Sequence, residues 1–253
     1  MSGKLLQKLL EEVDHKKAKL DSFRPLPGEL IKELNQWFKV ELTYSSNALE
    51  GNTLTKAETN LIIEKDLPIE GKSLREHLET VGHAAAVEYI FDLAKCTQCD
   101  LTLPDILNIH KLIFDRIEKE HAGINRQEEL PISPLQAHFR PQIKFGATMN
   151  KFVDWLCQAK GHPILIATEA HFKILHLQPF AKGNGITARL LMNLLLLQKG
   201  YEPAIIWPEN RDEYFSLLKN ALKTNNLETL FEFITQQVID SFDLYLSKVK
   251  KAI

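Results

Sequence analysis

Apolar positions along this chain recur at intervals of three and four. In "GELIKELNQWFKVELTYSS", Ile31, Leu34, Trp37, Phe38 and Leu42 fall on one helical face, and Gly51 shortly afterwards offers a stop. The opening "MSGKLLQKLLEEVDHKKAKL" sets Leu5, Leu6, Leu9, Leu10 and Val13 at helical spacing among charges of both signs. Thr55 with Glu58 and Ser73 with Glu76 have the spacing of capping boxes. They predict a helix through about Glu64 and a longer one over "LREHLETVGHAAAVEYIFDLAK". Pro104 suits a first helical position ahead of "DILNIHKLIFDRI". Further helices are predicted over about 148–159, 163–177, 185–199, 210–223 and 227–249, with Gly200 just past the end of the third of these. "LLMNLLLL" is apolar on every side, so its helix belongs at the centre of the molecule.

One stretch departs from this period. In "RQEELPISPLQAHFRPQIKF", 126–145, alternation around a turn-forming "SPLQ" predicts a short β-hairpin, with Pro131, Pro134 and Pro141 discouraging full sheet pairing. The expected fold class is all-α, mainly helical, with that hairpin as a flap. The chain divides into an N-terminal helical extension over 1–28, a main domain over 29–233 and a C-terminal helix over 234–253 that continues the domain.

Composition changes this picture little. A chain of 253 residues with 44% apolar and 25% charged residues can bury a sizeable core. A net charge of −2 argues against general affinity for nucleic acid or anionic membrane. No run approaches the roughly 20 apolar residues of a membrane span, and the N-terminus lacks the apolar core of a signal peptide. The three cysteines, Cys96, Cys99 and Cys157, complete no metal motif; their odd number fits a reducing compartment. The expected location is the cytoplasm, or a host cell reached without a cleavable signal.

Candidate chemistry concentrates in "LHLQPFAKGNGITARLLMN", 175–193. Gly183 and Gly185 allow tight curvature and close approach by a ligand, and Asn184 between them tolerates unusual φ. The helix that follows presents unpaired first-turn amides and the positive end of its dipole, with Arg189 one turn in. An anion there would meet backbone donors, dipole and guanidinium together. Taken alone, "GNG" is equally well a turn between two helices.

The segment "HPILIATEAHFKILHLQPFAKGNGITARLLMNLLLLQKGYEPAII" resembles the Fic family, whose motif is H-P-F-x-[D/E]-G-N-G-R-x-x-R. The likeness runs from about Ser45 to Phe233 and takes in "GKSLREHLETVGHAAAVEYI", "HAGINR" and "NRDEYFSLL". It implies a helical protein that transfers AMP from ATP to a hydroxyl of a target protein, or moves or removes a related group. Pro179, Phe180, Gly183, Asn184, Gly185 and Arg189 fit the motif. The family's general-base histidine falls on Gln178, its acidic magnesium ligand on Lys182 and its first arginine on Ile186. "SSNALEGNTLT" resembles the family's inhibitory motif, as Ser46, Glu50 and Gly51, and implies that Glu50 pairs with Arg189 and obstructs the nucleotide's terminal phosphate. A target segment would add as a strand to the 126–145 hairpin.

An amide does not accept a proton near neutral pH, and a lost general base costs about 10²–10⁴ in rate. His176 lies roughly 200° around the helix from Gln178, and His171 about 10 Å back along it, so neither replaces the base. His171 also matches a histidine of relatives that keep the catalytic one, which makes it structural. Lys182 would repel magnesium yet could neutralise phosphate itself, or simply be a solvated lysine. The first expectation is therefore a nucleotide- or phosphate-binding domain, closed by Glu50, with AMP transfer absent or strongly impaired. The second is an active, metal-independent transferase that uses Lys182 and substrate positioning. ATP or another nucleotide is the expected ligand, and no metal is expected. A protein target is the expected partner, a homo-oligomer stays open, and a purely structural helical protein is the third reading.

Overall fold

The computed structural model describes residues 2–96, 101–126 and 145–252. Ten α-helices form in the described residues: α1 (Ser2–Asp21), α2 (Gly28–Leu49), α3 (Lys56–Lys65), α4 (Leu74–Ala94), α5 (Leu103–Phe114), α6 (Phe145–Gln158), α7 (Pro163–Leu177), α8 (Asn184–Gln198), α9 (Arg211–Thr224) and α10 (Glu228–Ala252). None is long and apolar enough to cross a membrane among the described residues.

Helix starts follow local chemistry. Thr55 Oγ1 accepts the Glu58 amide at 3.2 Å while the Glu58 carboxylate accepts the Thr55 amide at 2.7 Å. Ser73 and Glu76 do the same at 3.2 and 3.0 Å. Both pairs satisfy amides that a helix N-terminus otherwise leaves open. Gly200, at φ 74°, ends the turn after α8 in the left-handed region, where a side chain would be strained.

The antiparallel pair α7 and α8 forms the centre, with α4 and α5 against α8 and α2 against α4. From Ile186 to Leu194 every residue of α8 is buried. That is the consequence of its all-round apolar sequence. α1 packs along α10 and is tied to the core where the Tyr201 hydroxyl donates to Asp14 at 2.5 Å.

One expectation needs correction. Among the described residues there is no strand, so the hairpin flap over 126–145 is not borne out. Its two ends are occupied otherwise: Arg126 lies in irregular backbone and donates its amide to the Pro179 carbonyl at 2.6 Å, while Phe145 opens α6. The helical spacing of Met149, Phe152 and Val153 suits α6 and buries the first two of these. Residues 127–144 lie outside the described ones. The expected docking of a target segment on 126–145 falls on those same residues. Cys157 is a free thiol, whereas Cys96 is disulfide-bonded.

Candidate functional site

Helix α7 ends one residue before the glutamine singled out by the sequence. Gln178 is the C-cap, buried and left-handed at φ 46°, with its amide on the Ile174 carbonyl at 2.9 Å. Pro179 then prevents the helix from resuming. The loop to α8 is pinned by Asn184, whose side chain takes both backbone groups of Phe180: the amide donates to Oδ1 at 2.9 Å, and Nδ2 donates to the carbonyl at 2.8 Å. Asn184 thus holds the loop. Gly183 caps α8 at φ 73° without a side-chain hydrogen bond, and a Cβ there would overlap the Phe114 ring.

The first turn of α8 faces a carboxylate. A Cβ on Gly185 would overlap Glu50 Oε1 and come within 3.1 Å of Arg189 Nη1. Arg189 Nη2 donates to that same Glu50 oxygen at 2.8 Å, and to the Ser46 carbonyl at 3.1 Å. Its Nε donates to Ser46 Oγ at 2.9 Å. Ser46, Glu50, Gly185 and Arg189 therefore converge, although more than a hundred residues separate the two halves in sequence. The carboxylate lies where helix amides and a guanidinium favour negative charge. Gly51 follows at φ 98°, letting the chain turn away from α2.

Three side chains that sequence reasoning passed over support this site. The Tyr214 hydroxyl lies 2.7 Å from His171 Nε2. Burial, then the Arg189 charge, push the His171 imidazole down to about 3, so it stays neutral. His110 lies under the loop, stacked 3.9 Å from the Phe180 ring. Its Nδ1 accepts the Gly123 amide at 2.9 Å, so Nε2 carries the proton and donates to the Lys182 carbonyl at 3.1 Å. Burial lowers this imidazole to about 4, which keeps it in that tautomer. Glu118 is the third, with Lys182 Nζ 2.8 Å from its Oε1. Burial would raise the Glu118 carboxyl, but hydrogen bonds and charge from Lys182 and then Arg75 hold it below the usual range. Periodicity in "DILNIHKLIF" marks His110 as inward-facing; nothing local marks Glu118 as the partner of Lys182.

The remaining positions separate cleanly. Ile186 is 5% exposed and belongs to the core. His176 is exposed, and His171 is buried against Tyr214. His138 lies outside the described residues. Among the described residues no group of three or more His, Cys, Asp or Glu could hold a metal ion.

Fold and site together define a helical domain built on one buried helix pair, with its polar site at the bend between the two. A family model described as the Fic/DOC family matches residues 100–196. The protein adenylyltransferase Fic of Culex quinquefasciatus is 33% identical over 244 residues, covering 95% of this chain and 48% of that protein. That of Nematostella vectensis is 32% identical over 245 residues, covering 95% and 56%. Among solved structures, a Fic-1 fragment from C. elegans matches with a TM-score of 0.85 at 27% identity, over 99% of this chain and 74% of that one. A Fic-domain protein from Bacteroides thetaiotaomicron, at 24% identity and a TM-score of 0.81, shares the fold. The chain belongs to the Fic family. It spans about half the length of the curated insect relatives it matches.

Proposed function

We propose that this domain binds a nucleotide or other phosphate-bearing ligand at the N-terminus of α8, is held closed by Glu50, and has lost most or all AMP transfer. The observation that carries this is the placing of a carboxylate against the Gly185 turn, 2.8 Å from a buried guanidinium. A site already filled by the protein's own anion is a site suited to anions. Gln178 at the bend supplies an amide where the family motif has a histidine, so a target hydroxyl could be oriented but not deprotonated. The protein partner would be such a target, in line with the relatives named as protein adenylyltransferases.

Magnesium does not fit. The side chain where the motif has its acidic ligand is an ammonium, and the nearby carboxylate of Glu118 already serves Lys182 and Arg75. The same pairing weighs against an active transferase in which Lys182 replaces the metal, because its charge is largely compensated before any phosphate arrives.

Titrating ATP, with and without magnesium, into the protein and its Glu50→Gly variant tests the reading. Glu50→Gly is expected to bind at least about tenfold more tightly, as suits removal of a competing charged group from a buried arginine. The magnesium dependence should be flat, and AMP transfer to protein should stay near background in both. Absence of binding by either protein refutes the nucleotide site; transfer abolished by Lys182→Ala instead supports the working transferase.

A further inference from the structure

Lys182 and Arg189 stand on either side of the first turn of α8, and each is met by a carboxylate from a distant part of the chain. The two carboxylates are connected. Glu118 Oε1, besides Lys182, receives both terminal nitrogens of Arg75 at 3.2 Å. Arg75 Nε donates to Glu79 Oε1 at 2.9 Å. The other Glu79 oxygen accepts from Asn52 Nδ2 at 3.2 Å. Asn52 is two residues past Glu50. An unbroken line of polar contacts therefore runs from the loop before α8, across the start of α4, to the segment that carries the Glu50 carboxylate.

We propose that Arg75, Glu79 and Glu118 are positioning residues that hold Glu50 over α8 and release it when an anion engages Lys182. Arg75 is shared between two carboxylates. While Lys182 helps to neutralise Glu118, the guanidinium remains available to Glu79, and Glu79 keeps a fixed orientation toward Asn52. An anion that draws Lys182 away leaves Glu118 with Arg75 alone, and the guanidinium shifts toward it. Glu79 then loses its anchor, Asn52 loses a fixed acceptor, and Gly51, at φ 98°, provides the adjoining hinge. The ligand so read presents one anionic group to Lys182 and a second to Arg189, the pattern of a di- or triphosphate rather than a monophosphate. The carboxylates are mostly shielded, at 18% exposure for Glu118 and 22% for Glu79, while Arg75 is 51% exposed. Each link is therefore weak, and the effect is a few-fold one.

This rests on the nucleotide reading above, and two measurements keep the two apart. Calorimetric titration of magnesium-free ATP into the protein, Arg75→Ala, Glu50→Gly and the double variant comes first. Arg75→Ala is expected to tighten binding by about threefold where Glu50 is present and to change nothing in the Glu50→Gly background. An equal change in both backgrounds, or none in the first, overturns the relay. Hydrogen exchange without ligand is the second: the Gly51, Asn52 and Thr53 amides should exchange faster in Arg75→Ala and recover in Arg75→Lys. Unchanged exchange overturns the relay alone, whereas failure of Glu50→Gly to bind ATP overturns the nucleotide reading and the ligand response with it. Glu79→Gln, of almost the same shape, replaces Arg75→Ala if that variant does not fold.

Discussion

Gly183 shows how little freedom the bend allows. Its φ of 73° costs an L-residue about 1–2 kcal/mol, and a methyl group there would enter the Phe114 ring. Gly183→Ala is expected to lower stability by about 2–4 kcal/mol, read as a fall in thermal midpoint of roughly 5–12 °C for a domain of this size. Asn184→Ala removes both bonds to Phe180 and leaves a buried amide and carbonyl without those partners, at a cost of about 2–3 kcal/mol by urea denaturation. Both glycines and the asparagine were legible in the sequence as a helix-entry loop. What each does was less so. The close approach allowed by Gly185 is taken up by Glu50, and the Asn184 side chain ties down Phe180. Lys182 was read as either free or phosphate-seeking, and the carboxylate that meets it lies 64 residues away, beyond the reach of any spacing rule.

At the scale of elements, capping and period were dependable guides. Both capping boxes formed where the Thr and Glu or Ser and Glu spacing placed them, and α7, α8 and α9 begin and end within about two residues of expectation. The hairpin has no strand to answer it among the described residues, where Arg126 is irregular and Phe145 already belongs to α6. The start of α4 carries more than its cap. Glu76 also accepts the Thr53 amide at 2.9 Å and the Thr53 hydroxyl at 2.7 Å. These bonds hold its carboxyl down to about 2. Ser73→Ala is expected to cost about 1 kcal/mol. Glu76→Ala should cost more, because the connection from α2 to α3 loses its tie to α4 as well; chemical denaturation of the pair measures the difference. The contribution of Glu76 is complete above pH 4.5 and fades as pH falls toward 2.

For the molecule as a whole, opposing buried groups set the pH of greatest stability. Burial pushes His83 and His171 down to about 3 and His110 to about 4, from an ordinary 6.5. Below 6.5 the unfolded chain takes up protons that the folded one refuses, so stability falls as pH drops toward 4. Burial moves Glu202 the other way, from 4.5 up to about 8. Between those values the folded protein holds a proton that the unfolded chain has released, and stability falls as pH rises. The balance places the maximum near about pH 7. Urea midpoints from acid to mildly alkaline pH should trace that dome, and Glu202→Gln should flatten its alkaline side.

Ile186 shows what the interior tolerates beside the bend. Where the motif has an arginine, this protein has a side chain that is 5% exposed and part of the central packing. Restoring a guanidinium there would bury a cation beside apolar neighbours, at a cost of several kcal/mol unless a counter-charge arrived with it. Lys182, at 60% side-chain exposure, lies outside that packing, whereas Gln178 is as buried as Ile186. A charge placed at either buried position would thus have to bring its own partner with it, so the interior constrains what this bend can carry as firmly as any ligand would.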